Sequence, residues 1–150
     1  MNLALTLPAA PSRTWPTRLF WALAGAVAWG VLLTAAWLQP DARGYGTHQQ
    51  LGLPPCMFEA MTHVPCPGCG LTTSFAHMAH GHVLSAFGAH LMGPELFALT
   101  LAVALAAPWA VRRAVPVLWV LSLRATTAAL SVTLAAGMVT LAWRLARHFL

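Results

Sequence analysis

Lysine is missing from this chain, acidic side chains number three, and only 7% of all residues are charged. A soluble domain usually carries about 25%. Eight arginines are the whole basic complement, and 59% of the residues are hydrophobic. Such a chain has too few polar side chains to cover a water-facing surface, so an ordinary soluble fold is excluded and contact with lipid is predicted. A basic patch interleaved with aromatics is also lacking, which argues against nucleic acid as a partner. The arginines (Arg13, Arg18, Arg43, Arg112, Arg113, Arg124, Arg144, Arg147) instead flank apolar runs, where lipid phosphates would meet them. Three cysteines are too few for a disulfide framework. Paired carboxylates, a Ser/His/Asp arrangement and a phosphate loop are all absent, and this favours a non-enzymatic protein. There is no internal repeat, and 150 residues suffice for one domain.

What is present is apolar sequence in long runs. A spanning helix needs about 20 such residues. Leu19 to Leu38 provides them without a charge, opened by Thr17 and Arg18 and closed by Pro40, Asp41 and Gly44. The run is too long for a signal-peptide core, and Trp37, Leu38 and Gln39 follow it in place of a small-residue cleavage site, so an uncleaved span is expected. Leu91 to Val111 is a second span, with Pro94 and Glu95 near its start and Arg112 and Arg113 after it. Thr126 to Trp143 is a third, closed by Arg144 and Arg147. Residues 114–123 are apolar but too short to cross, and fit an interfacial stretch or an extension of the third helix. Residues 1–16, with three prolines, read as a loose tail, and residues 17–150 as a single membrane domain. Trp15, Trp21, Trp37, Trp109 and Trp143 fall near span ends, as an aromatic belt would. Small residues around Gly25 and Gly30 permit close helix packing.

Arginine placement suggests an orientation. The tail and the 112–124 loop carry five arginines, whereas the 39–90 segment and the C-terminal end carry three. By the positive-inside rule the N-terminus is inside and the 39–90 segment faces outward from the cytoplasmic (inner) membrane.

That outward segment holds all three cysteines and six of the seven histidines. Its first half is rich in turn residues. Residues 54–90 contain Cys56 and then Cys66-Pro67-Gly68-Cys69, placed just before a helical pattern that starts at Leu71. Phe75, Ala79, Val83, Ala86 and Phe87 share one face of that pattern, which predicts an amphipathic interfacial helix over 71–90, with a possible break at Gly81. His77 lies on the opposite face and His80 at its edge, while His82 and His90 fall near the apolar face and suit packing.

Three chemistries fit the CxxC unit. Thiolates before a helix start are acidified by its N-terminal partial charge, which suits redox work and metal ligation alike. A metal, zinc above all, would take Cys66 and Cys69, with Cys56 third and His63, His77 or His80 completing a tetrahedral set; His63 is the expected fourth ligand. A thiol–disulfide oxidoreductase would use Cys66 to attack and Cys69 to resolve, with Cys56 as a shuttle and a quinone as partner. The third reading is a rigid Pro/Gly turn that docks a partner. Met57 and Met61 are conceivable soft copper ligands but fit as apolar filler. Glu95 is ionisable near a span, and its plainer role is a carboxylate at a helix start.

Residues Cys56 to Thr73 together resemble an uncharacterised family of small prokaryotic membrane proteins. Its signature is C…(T)G-x-P-C-P-x-C-G-x-T-R, followed by a short helix, an Asn-Pro pair and a hydrophobic span. The resemblance covers about residues 54–111 and implies the architecture and the importance of Cys66 and Cys69, but no reaction. Thr73 stands where that pattern has arginine, His63 where it has glycine, Glu59 where a basic residue is common, and Gly93 where it has asparagine.

The expected fold is therefore an all-α integral membrane protein with three transmembrane helices and an interfacial helix after a Cys-Pro-Gly-Cys turn. The expected role is a structural or metal-binding module serving a membrane partner or a second copy of the chain. Alternatives are the oxidoreductase and an accessory subunit of a transporter.

Overall fold

A computed structural model of the chain describes residues 14–62, 66 and 68–116, and beyond them 127, 128, 131–133, 135, 137–139, 142 and 146. The described residues are helical, with turns between helices and no strand.

Helix α1 spans Trp15–Trp37. Thr14 caps it and Pro16 stands in its first turn, where a missing N–H costs nothing. It ends as Leu38 turns extended ahead of Pro40. It includes the whole first expected span but for Leu38, and begins four residues earlier, taking Trp15 and Pro16 from the expected tail. Helix α5 spans Gly93–Arg113 and contains nearly all of the second, with Pro94 in its first turn and Arg112 and Arg113 in its last. Both are long and apolar enough to cross a membrane, and only 28% and 22% of their apolar windows is buried inside the protein.

The two helices run antiparallel. Early in α1, Trp21 packs with Ala110 and Val115 past the far end of α5; later, Ala28 and Leu32 pack with Ala104, Phe97 and Val103. The α1 seam is Trp21, Gly25, Ala28, Leu32 and Ala35, a three- and four-residue rhythm that keeps one face on the partner. Small residues set the distance. A Cβ on Gly25 would lie 2.6 Å from the Cβ of Ala107, so only glycine permits this approach. Trp21 is not a belt residue: it is buried, and its indole N–H donates to the Val115 carbonyl at 2.9 Å. Trp15, Trp37 and Trp109 are exposed near the helix ends, as expected.

Between α1 and α5 the chain folds into a cap. It comprises a 3-10 turn, Thr47–Leu51, then α2 (Met57–Thr62), α3 (Leu71–Ala79) and α4 (Val83–Ala89). Helix α3 is the keystone, touching α1, α4, α5 and the 3-10 turn. The expected single helix over 71–90 is two helices, because Gly81 at φ +79° reverses the chain between them. The expected apolar face is also revised. The buried α3 residues are Thr73, Ser74 and Ala76, while Val83 and Phe87 of α4 are exposed. The hydroxyls are buried because each has a partner. Thr73 Oγ1 and Thr47 Oγ1 lie 2.8 Å apart, and Ser74 Oγ donates to the Ala86 carbonyl at 2.8 Å. Gly93 starts α5 directly against Ser74, leaving no room for a side chain.

The third expected span, 126–143, lies largely outside the described residues, as do residues 117–126 and Arg144 and Arg147. Its described positions Thr127, Ala128, Ser131–Thr133 and 137–139 are helical. Thr133 Oγ1 donates to Glu95 Oε1 at 2.8 Å, which gives Glu95 a structural tie in the first turn of α5.

Candidate metal centre

Cys56 follows Pro54-Pro55 and caps α2, its carbonyl accepting the Ala60 N–H at 2.9 Å. Cys66 and Cys69 lie in a tight turn closed by the Cys69 N–H to the Cys66 carbonyl at 3.0 Å. Gly70 then enters α3 at φ +90°. A Cβ at Gly70 would strike the Ala89 carbonyl oxygen and come within 2.8 Å of the Gly44 carbonyl oxygen. The turn is thereby wedged between the end of α4 and the loop after α1, and only glycine serves at that point.

This packing brings Cys56, ten residues upstream, onto the CxxC pair. The three Sγ atoms all lie within 4.8 Å of one another, and Cys66 and Cys69 are 2.9 Å apart. No disulfide joins them. Cys69 is buried, Cys56 and Cys66 half-buried. They open on a hollow of about 190 Å³ whose wall includes Tyr45, His48 and Glu59. Cys56 also borders a second hollow of about 260 Å³ with Arg43 and Glu59.

The thiols are electrostatically unequal. The backbone N–H of Glu59, with smaller help from the Cys66 and Cys69 thiols, makes Cys56 more acidic than an ordinary cysteine. Cys69 is pushed up to about 12, first by burial and then by hydrogen bonds with Cys66 and Cys56. The expected acidification of the CxxC pair by the helix that follows is thus not found at Cys69, where burial outweighs any helix-end effect. The acidified thiol is Cys56, at the start of α2.

Three converging thiols can hold a metal ion. Two thiolates at 2.3 Å from a tetrahedral zinc stand about 3.8 Å apart. The Cys66–Cys69 separation is shorter than that and longer than the roughly 2.05 Å of a disulfide. Of the expected fourth ligands, His63 lies outside the described residues. His77 and His80 belong to the far end of α3, grouped with His82 and not with the thiols. Met57 and Met61 are 76% and 77% exposed and line neither hollow. Among the described residues His48, which spacing alone did not single out, is the histidine that lines the thiol hollow; its Nε2 lies 3.2 Å from the Pro54 carbonyl oxygen. If that contact is a hydrogen bond, Nε2–H is the donor and Nδ1 keeps the lone pair. Its only sequence signal is a position in a glycine-flanked turn, Gly46 to Gly52.

A family model described as "Protein of unknown function (DUF2752)" matches residues 56–105. The match opens at Cys56, takes in the cysteine turn, α3 and α4, and ends inside α5. Neither the curated proteins nor the solved structures contain a match.

Proposed function

We propose that this chain is a multi-pass protein of the inner membrane whose Cys56, Cys66 and Cys69 hold one zinc-class ion in a structural module that serves a membrane partner. One observation carries the reading: Cys56 is folded back onto the CxxC pair. A dithiol needs two cysteines and a rigid turn needs none, whereas a metal centre needs three or four donors. The ion would tie the start of α2 to the turn before α3 and so lock the cap. The fourth position falls to His63, as the sequence suggests, or to His48 or Glu59 from the wall of the hollow. The exposed apolar faces of α1 and α5 support the membrane setting. A third span over 126–143 and an outward-facing cap complete the proposed topology.

Metal analysis of the detergent-purified full chain tests this. One zinc-class ion per chain is expected at the thiols, and Cys56→Ser and Cys66→Ser should each lower the bound metal by that one ion. Metal-free protein with three alkylatable thiols would end the reading.

The 2.9 Å contact of Cys66 with Cys69 and the acidified Cys56 favour a second reading, thiol–disulfide exchange. It requires the pair to be oxidised in native membranes. Acid trapping followed by alkylation with and without reductant separates the two: a mass gain of two alkyl groups only after reduction belongs to the redox protein.

A further inference from the structure

The second concentration of ligand atoms lies where α3 turns into α4. His77, His80 and His82 occur within six residues there, and the turn itself draws them together. The Gly81 N–H bonds the Met78 carbonyl at 3.1 Å, and the His82 N–H bonds the His77 carbonyl at 2.9 Å. This pair of bonds around a left-handed glycine is a Schellman motif. Its geometry places the residue after the glycine against the residue five positions before it, and the two usually make an apolar contact. In this chain both positions hold imidazoles. The His77 and His82 rings are 5.9 Å apart edge to face, and His80 stacks on His82 at 6.5 Å.

Two further details suit ligation. The Nδ1 of His77 is shielded from solvent and has no hydrogen-bond partner, a cost that an apolar side chain would not carry. The Nδ1 of His80 lies 2.8 Å from the Ala76 carbonyl oxygen. As the donor of that bond it leaves Nε2 with the lone pair, and a backbone carbonyl commonly orients a ligating histidine in this way.

We propose that His77, His80 and His82 form a metal site, separate from the cysteines, for a divalent copper- or zinc-class ion. Imidazole nitrogen is the donor such ions prefer. Two imidazoles on a tetrahedral ion have ring centres roughly 5.2 Å apart, given metal–nitrogen distances of about 2.0–2.1 Å. The observed 5.9 and 6.5 Å need closure by about an ångström, which the exposed ring of His82, common to both pairs, can supply by turning about its side-chain bonds while His80 keeps its bond to the Ala76 carbonyl.

The test uses the full chain without a histidine tag, in detergent, with Cys56, Cys66 and Cys69 all changed to serine so that the thiols are silent. Copper(II) and zinc are the probes. The expected result is one ion per chain, with nitrogen hyperfine structure in the copper spectrum. His77→Asn with His82→Asn should then weaken binding by more than roughly 100-fold, since loss of outer-sphere partners alone costs 10–100-fold. No bound ion in the serine background, or equal affinity after the histidine changes, would overturn the proposal. If the serine background does not fold, the same two histidine changes are made in the wild-type chain, with helicity checked by circular dichroism. The bound metal must then fall by one ion per chain, and an unchanged count overturns the site whatever the fate of the cysteine centre.

Discussion

Cys56 and Cys69 carry the same thiol in opposite surroundings, and their responses to pH differ in sign. Cys56 is acidified, so its contribution to stability is present above the ordinary value of 9.0 and disappears as pH falls through its lower folded value. Cys69 is held at about 12, so its contribution is complete below 9.0 and is lost as pH rises toward 12, because the unfolded chain releases a proton that the folded chain keeps. Metal-free protein should therefore lose stability as pH rises between about 9 and 12. Urea melts with chelator present check this, and Cys69→Ala should remove most of the slope. The same inequality orders reactivity, with iodoacetamide modifying Cys56 before Cys69. At Thr73, the fully buried hydroxyl bonded to Thr47 occupies the place where the resembling pattern has an arginine. The departure is one of burial, since a charge has no partner in that contact.

At the scale of helices, the α1–α5 seam is controlled by the smallest side chains. Gly25 and Gly30 look alike in the sequence, and the fold separates them. A Cβ at Gly25 meets Ala107 at 2.6 Å, whereas one at Gly30 meets nothing within 4 Å. Gly25→Val should push the helices apart and cost about 1–3 kcal/mol, the usual price of overpacking. Gly30→Ala should be neutral or stabilise by up to about 1 kcal/mol, from the better helix propensity of alanine. Thermal melts of both variants in one detergent make the comparison, and equal losses would contradict the seam. Helix α4 adds a further point at this scale. Leu84 is 87% exposed, beside exposed Val83 and Phe87. Its apolar side is turned away from the protein core.

For the whole molecule, the antiparallel pair α1 and α5 puts the cap, with every cysteine, at one end. The proposed outward orientation therefore makes a collective prediction. In intact cells stripped of their outer barrier, a membrane-impermeant maleimide should label metal-stripped cysteines without permeabilisation. Labelling that requires permeabilisation would reverse the orientation, leaving the cysteine centre itself unaffected.

Sequence alone determined the two long helices to within a turn of their limits, and it marked Gly81 as the candidate break in the 71–90 helix. Each depends on local physics: about twenty apolar residues, a proline in a first turn, a glycine that alone accepts positive φ. It also marked Cys66 and Cys69, which are neighbours along the chain. The meeting of Cys56 with that pair was one possibility among several, because the nine residues between Cys56 and Cys66 can be closed into a loop or left open, and the closure depends on α2 and on Gly70 wedged against Ala89 and Gly44. Periodicity misread the face of α3, since it counts apolar side chains as buried, while here Thr73 and Ser74 are buried through bonds to Thr47 and Ala86, residues far away in sequence. His48 entered the thiol hollow, and His77 met His82, through turns of the backbone. Spacing along a chain records which groups are present; which of them share a space is decided by tertiary contacts, whose energy comes from residues that the local pattern does not contain.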